Sequence, residues 1–303
     1  MQANRVGLIG IGNMGFGLAA RLLERGWRVA VRDLDAQRER DAAALGARVC
    51  ATPQALAAQS DCVIVAVVDA VQVDAVLFGP DGAAAAQPAC VMLCSTIGAA
   101  DTERFAARLG ERQIGCIDAP MSGGPARARD GSMSLMLACE DALFERHRPL
   151  IDTLSSKVFR IGAKPGDAAR TKLVNNLLAG INLAAACEAL ALAERLGLDA
   201  ARTLDVIEHS SGQSWIGSDR LRRALAGDFA PRAHTTLLNK DTHLALDAAR
   251  QAGFDAAFGT LAAAAFARAC ESGFATLDDA SLLEIFRRQP VQGQSAAGGK
   301  TPM

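Results

Sequence analysis

The sequence predicts an α/β protein: a doubly wound, mainly parallel sheet, followed by a long inter-domain helix and an all-α C-terminal domain. Three observations carry that reading. Unbroken apolar runs such as Cys62-Val-Ile-Val-Ala-Val-Val68 and Cys90-Val-Met-Leu-Cys94 alternate with helical stretches, as in parallel sheets covered on both faces. The stretch from Leu173 to Leu196 is almost free of charge, holds only Gly180 as a helix breaker, and spreads apolar residues over nearly every face, the pattern of a helix buried all round. Beyond Gly197 no strand pattern remains. A chain of 303 residues suggests two domains, because single cores stop growing at roughly 250 to 300 residues. The expected boundaries are 1–163 for the sheet domain, 164–196 for the helix, 197–288 for the helical domain, and 289–303 for a disordered tail of Gly, Ser, Gln and Pro.

The first segment, from Arg5, is a short apolar strand running into Gly10-x-Gly12-x-x-Gly15 and then a helix. The first glycine permits a tight turn, the second lets a pyrophosphate approach the backbone, and the third lets the helix pack close to the strand. Free amides and a positive dipole end then face the phosphates. This is a Rossmann-type dinucleotide turn, with Gly10, Gly12, Asn13, Met14 and Gly15 as cofactor-binding residues. After the helix through Glu24, the strand Arg28–Arg32 ends in Asp33, about twenty residues beyond Gly12, where a carboxylate holds a ribose and repels a 2'-phosphate. NAD is therefore favoured; Arg32 and Arg38 keep NADP open.

Thr52-Pro53 starts the next helix as N-cap and first helical residue. The strand Cys62–Val68 follows, and Val68 at its carboxyl end joins the cofactor set, since ligands of such sheets bind at that edge. A helix around Ala70 to Val76, a strand at Cys90 to Cys94, a helix from Asp101 to Leu109 and a strand at Ile114 to Asp118 continue the alternation. Then comes the loop Asp118-Ala-Pro-Met-Ser122-Gly123-Gly124-Pro125. Its hydroxyl and glycine amides form either a nest for a carboxylate or an ordinary Gly/Pro loop. A strand (Met133 to Ala138), a helix (Asp141 to Leu154) and a strand (Lys157 to Ile161) complete the first domain, and residues 162–166 are the hinge.

On the long helix, Lys172 and Asn176 lie four residues apart and share a face. Desolvation of a lysine there lowers its pKa toward the range of proton transfer, with the amide orienting it or the substrate. Periodicity alone favours the plainer alternative, in which Lys172 snorkels to solvent with Asn176 as a surface amide. Five helices are expected beyond it: Asp199–His209, Ser218–Leu225, Leu237–Ala252, Asp255–Glu271 and Asp278–Arg287. Their Ala-rich faces and the apolar long helix predict a homodimer or homotetramer.

The formal charge of -1, with acids and bases interspersed, makes no electrostatic case for nucleic acid or an anionic membrane. The eight cysteines lie mostly in apolar runs with no CxxC or Cys/His cluster along the chain, so no metal and no disulfide framework is expected, and the thiols read as reduced in a cytoplasmic protein. There is no basic-then-apolar signal at the start, and Asn182, Glu188 and Glu194 interrupt the apolar helix, so no membrane span is expected. His147, in an Arg-rich helix, is expected on the surface, and His209, His234 and His243 are scattered without metal-ligand spacing.

Taken together, Gly10-x-Gly12-x-x-Gly15, Asp118-Ala-Pro-Met-Ser-Gly-Gly124 and Gly166 followed by Lys172-x-x-x-Asn176 resemble the three signatures of the beta-hydroxyacid dehydrogenase family, over roughly residues 5 to 288. The resemblance implies NAD(P)-dependent oxidation of a hydroxyl on a small carboxylic acid. It implies Ser122, Gly123 and Gly124 for the substrate carboxylate, Lys172 as acid/base catalyst, and Asn175 and Asn176 beside it at the substrate. Thr96 would touch the cofactor, and Lys240, in Leu238-Asn-Lys240-Asp241, would close over the cleft from the helical domain. Within the family, residues 177–193, Ser210-Ser-Gly-Gln-Ser-Trp215 and Gly227-Asp-Phe-Ala-Pro231-Arg are similar to the L-threonate dehydrogenase branch, which acts on four-carbon sugar acids. Leu-Val-Asn175-Asn176 follows the wider family instead, where the threonate branch carries His and Gln. This keeps 3-hydroxyisobutyrate and tartronate semialdehyde in contention. Ala168, Ala138-Cys139 and Leu34 also depart from the usual pattern; the first two bear on loop geometry and the third fits NAD. Ser214 and Trp215 are candidates for the substrate pocket, Trp215 equally for helix packing. A non-catalytic dinucleotide-binding redox sensor is the reading of another class, and the presence of Lys172 counts against it, as it does against imine reductases.

Overall fold

The structure is a computed structural model and describes residues 5–288; the tail expected to be disordered at 289–303 lies outside the described residues. The first part of the chain runs β1 (Arg5–Ile9), α1 (Asn13–Glu24), β2 (Arg28–Arg32), α2 (Ala36–Ala44), β3 (Arg48–Val49), α3 (Pro53–Ala57), β4 (Cys62–Val65), α4 (Ala70–Phe78), β5 (Cys90–Leu93), α5 (Ala99–Gly110) and β6 (Gly115–Asp118). It continues with β7 (Met121–Ser122), α6 (Gly124–Asp130), β8 (Ser134–Ala138), α7 (Asp141–Leu154) and β9 (Lys157–Gly162). The sheet order is β3-β2-β1-β4-β5-β6-β8-β7, with β9 beside β8. From β3 to β6 every pairing is parallel, whereas β8 meets β6 and β7 antiparallel. The doubly wound, mainly parallel sheet is therefore the observed fold.

Two apolar layers sandwich this sheet, one holding Leu8, Leu18, Ile64, Met92 and Ile151, the other Ile9, Val63, Leu77, Val91 and Phe105. Alternate residues of each strand feed opposite layers, which is why the strands are apolar without interruption. Thr52 caps α3 as expected, its hydroxyl accepting from Ala55 N at 3.1 Å with Pro53 next. β4 is shorter than expected, ending at Val65. Val68 N donates to Gln72 Oε1 at 3.1 Å and Asp69 caps α4, so the chain has already left the sheet.

His147 corrects the surface expectation, because it is only 8% exposed. Helix α7 buries Phe144, His147, Leu150, Ile151 and Leu154, a three-and-four spacing that places the histidine on the core face while Arg146 and Arg148 face water.

The long helix, α8, spans Asp167–Arg195 with 29 residues, about 44 Å at 1.5 Å per residue. It is not buried all round: Leu173, Leu183, Cys187 and Leu190 are inside, but Val174, Leu178 and Leu192 are more than half exposed. Its length and composition alone would let it cross a membrane, the one such helix among the described residues. Then follow α9 (Ala200–Glu208), α10 (Trp215–Leu225), α11 (Thr235–Gln251), α12 (Ala257–Ala269) and α13 (Leu282–Arg287). Helix α10 starts three residues before the expected Ser218, because Ser214 caps it by accepting from Gly217 N at 3.1 Å. The last turns of the expected Asp255–Glu271 helix widen into a π-helical segment, Cys270–Phe274, which Gly273 ends with φ at 88°.

The chain forms two compact units. The first takes the described residues up to Leu178 together with Lys240–Ala257; the second takes Ala179–Asn239 and the described residues from Phe258 onward. The core of the second gathers Leu183, Leu190, Leu204, Leu221 and Phe266.

Candidate active site

Apart from Ser214 and Trp215, the expected site residues fall in the first unit, along the carboxyl edge of its sheet and the helices that reach it. Gly10 ends β1 with φ at 86°, and a Cβ there would lie 2.8 Å from the carbonyl oxygen of Ala66. A Cβ on Gly15 would lie 2.0 Å from the Gly10 oxygen, so helix α1 approaches the strand only because both are glycine. Around Gly12 there is open space within 4 Å, and no side chain caps α1. The turn thus presents helix amides next to room for a ligand, which fits a dinucleotide pyrophosphate.

Asp33 stands at the end of β2 and braces the turn, accepting from Ile11 N at 2.6 Å and Asp35 N at 2.9 Å. The two arginines that kept a 2'-phosphate open are engaged: Arg32 pairs with Glu39 at 2.8 Å and Arg38 donates to Asn13 Oδ1 at 2.8 Å. Met14 is packed against the sheet core, and Val68 is half exposed after β4. The Ser122 loop leaves β7 with Gly123 at φ 131° and Gly124 at φ 78°, and Gly124 has open space where a Cβ would stand. Ser122 is half-buried beside these two glycine amides.

Helix α8 is anchored by a residue whose role the sequence did not disclose. Asp118, at the end of β6, accepts from Gly166 N at 2.7 Å and Ala169 N at 3.0 Å with the same oxygen, satisfying orphan amides of the first turn. Burial pushes its carboxyl up to about 6 against these hydrogen bonds.

Six residues into α8, Lys172 is 7% exposed and does not snorkel. Burial pushes its ammonium down to about 8, Asp241 opposing the shift and Lys240 adding to it. Asp241, in α11, was named in the motif but given no part, and it ties the site together. One of its oxygens accepts from Asn176 Nδ2 at 2.6 Å and the other from Lys240 Nζ at 2.7 Å. Lys240 also donates to the backbone oxygen of Thr96 at 2.7 Å, and it belongs to the first unit rather than to the helical domain. Asn175 lies on the exposed side of the helix and donates to Asn176 Oδ1 at 3.1 Å. A lysine that titrates near 8 both holds and gives up a proton at working pH, as a general acid/base must.

Ser214 and Trp215 belong to the second unit. The Ser214 hydroxyl serves as the cap of α10, and Trp215 lines an open cavity of ≈ 410 Å³ with Glu208, His209 and Arg222.

The glycine turn and the lysine held at the head of α8 put the chain in the class of NAD(P)-dependent oxidoreductases. Residues 5–162 match the family described as the NAD binding domain of 6-phosphogluconate dehydrogenase, and residues 166–286 match the NAD-binding segment of NADP-dependent 3-hydroxyisobutyrate dehydrogenase. The chain belongs to the beta-hydroxyacid dehydrogenase family, the 3-hydroxyisobutyrate dehydrogenase-like enzymes. It is 37% identical to the L-threonate dehydrogenase of Cupriavidus necator, over 97% of this chain and 100% of that one. A structure described as 3-hydroxyisobutyrate dehydrogenase from Salmonella typhimurium is 35% identical, covers 93% of this chain and 99% of its own, and superposes with a TM-score of 0.88. A further structure, Psf3 in complex with NADP+ and 2-OPP, is 27% identical with a TM-score of 0.85, covering 92% of this chain and 99% of its own.

Proposed function

We propose that this protein oxidises the hydroxyl of a small hydroxy acid, L-threonate or a related four-carbon sugar acid, with NAD as cofactor and Lys172 as the acid/base. The observation that carries the reading is Lys172 itself, buried on the same helix face as Asn176 and titrating near 8. When bound, the dinucleotide accepts the hydride. The neutral amine of Lys172 takes the hydroxyl proton, and in the reverse direction the ammonium returns it. Asp241 holds Asn176, and with it the substrate side of the helix, in one orientation. The amides of Gly123 and Gly124 with the Ser122 hydroxyl receive the substrate carboxylate, a use that their left-handed backbone supports. Asn175, which donates to Asn176 Oδ1, is the second amide assigned to the substrate.

NAD is chosen over NADP because Asp33 stands where a 2'-phosphate would be repelled, and because Arg32 and Arg38 already have partners. Gly10, Gly12, Asn13, Met14, Gly15, Val68, Thr96 and Lys240 complete the cofactor contacts. Likeness to an L-threonate dehydrogenase over nearly the whole of both chains supports the four-carbon acid. Asn175-Asn176 in place of His and Gln supports the alternative, a 3-hydroxyisobutyrate-like or tartronate-semialdehyde-like substrate. Exposed Val174 and Leu192 on α8 and Phe258 and Leu261 on α12 support a homodimer or homotetramer. Eight free thiols, most of them buried, support the cytoplasm.

The test is NADH production from NAD at alkaline pH with L-threonate, D-threonate, D-glycerate, 3-hydroxyisobutyrate and L-serine, beside Lys172→Ala. One acid turned over by the wild type alone is the expected result, and it names the substrate. No turnover with NAD, NADP, or in the reducing direction with tartronate semialdehyde would sink the proposal.

A further inference from the structure

The opposite, amino edge of the same sheet carries a cluster that dehydrogenase chemistry does not use. Cys62 opens β4 and Cys90 opens β5, and the two are direct partners in the parallel ladder. Partners in register present their side chains to the same side of a sheet, here the layer that also contains Phe144, Leu150 and Ile151 of α7. His147 of α7 enters from that layer. One ligand atom from each of Cys62, Cys90 and His147 lies within 4.8 Å of the other two. The three residues are 2%, 0% and 8% exposed.

One of these groups is incompletely satisfied. The Nε2 of His147 is buried without a hydrogen-bond partner, whereas the great majority of buried polar atoms have one. The neighbouring charges do not supply it: Asp61 acts on the ring only at a distance and is paired with Arg5 at 2.6 Å, and Arg146 repels its protonated form. A ring nitrogen with no hydrogen-bond partner has, in the neutral imidazole, a lone pair to donate to a metal ion.

We propose that Cys62, Cys90 and His147 form a binding site for a thiophilic divalent cation, with Zn(II) as the ion of choice. Two sulfurs and an imidazole are the donor set that zinc prefers. Charge selects the divalent ion: on binding, both thiols release their protons to solvent, and two thiolates cancel a double positive charge. A buried complex of no net charge escapes the desolvation penalty that a monovalent Cu(I) bound to two thiolates, net negative, would carry. Three protein donors are one fewer than in structural zinc sites, so weaker binding than in that class is expected. The ion would tie α7 to the amino ends of β4 and β5, and act as a staple rather than a catalyst.

The test uses the full-length protein, reduced and stripped with a chelator, then titrated with Zn(II) against a chromophoric indicator and separately with Co(II) as an optical probe. One ion per chain, two protons released per ion, a thiolate-to-cobalt charge-transfer band and a raised unfolding temperature are expected. His147→Leu should weaken binding by at least about 100-fold. That variant exchanges the unpartnered nitrogen for an apolar side chain on a core face, so its metal-free unfolding temperature should not fall; should it fail to fold, Cys90→Ala reads the same loss. Cys270→Ala, in the second unit, should bind as the wild type does. Failure of wild type to bind one equivalent, or a charge-transfer band that survives in both His147→Leu and Cys90→Ala, would overturn the site.

Discussion

Each unit of this chain buries a cluster of charges, and the two clusters respond to burial in opposite ways. At the head of α8, Lys172 faces one carboxylate, Asp241, whose oxygens are already taken by Asn176 and Lys240. Desolvation wins, and the ammonium titrates near 8. In the second unit Arg220 meets Asp279 at 2.7 Å, with Asp219 and Asp278 beside it, and Arg223 meets Asp278 at 2.9 Å. There burial is outweighed: the Arg220 guanidinium is held more firmly charged by its three acids. The surplus of acid shows on Asp279, whose carboxyl burial and Asp278 push up to about 7 against Arg220. A buried cation with too little counter-charge is poised to lose its proton, and one with ample counter-charge is a structural knot.

The widest separation between the clusters should come from deleting the cations. Lys172→Ala should lower kcat by up to about 10,000-fold while NADH binding, followed by fluorescence, persists. Activity equal to wild type would remove Lys172 from the chemistry. Arg220→Leu should instead cost about 3 to 5 kcal/mol in denaturant unfolding, because Asp279 is left buried without its partner while Asp278 keeps only Arg223. Its catalytic pH profile should keep the wild-type shape in whatever fraction remains folded.

Next in size is the anchor of α8. Asp118→Ala leaves the amides of Gly166 and Ala169 without their acceptor and should cost about 1 to 3 kcal/mol. Asp118→Asn should cost far less, since both amides use one oxygen that an amide side chain retains. Equal losses in the two variants would show that the charge, not the acceptor, holds the helix.

The smallest effects are those of pH. Below about 8, oxidation should speed up close to tenfold per pH unit as Lys172 loses its proton, then level off. Asp241→Asn should move that midpoint to lower pH, because Asp241 favours the ammonium. A shift to higher pH would mean that another group sets the profile. The same residue links to stability: the unfolded chain keeps the lysine proton to 10.5, the native one only to about 8. Between those values the unfolded state binds more protons, so this contribution to stability grows as pH rises through the window and is constant below it.

Legibility along the chain tracks the range of the interaction involved. The glycine turn could be read because Gly10 and Gly15 answer local demands, a positive φ and a close helix approach, within six residues. Lys172 and Asn176 could be paired because four residues make one helical turn. Asp118 and Asp241 could not be given parts, since their partners are 48 and 65 residues away, at Gly166 and Asn176. His147 was within reach: Phe144, Leu150 and Ile151 already mark the core face of α7, and the arginines around it obscured that spacing.

Composition and period thus determined by themselves the alternating sheet domain, the long helix, the cofactor turn and the lysine of the candidate site. They are properties of short stretches, and backbone sterics and the burial of apolar side chains act on short stretches directly. Only the tertiary structure decided which carboxylate faces Lys172, what holds the head of α8, which face of that helix stays bare, and that Cys62, Cys90 and His147 meet. Each of those depends on strand register and helix docking, which the packing of the whole core sets and no local pattern encodes.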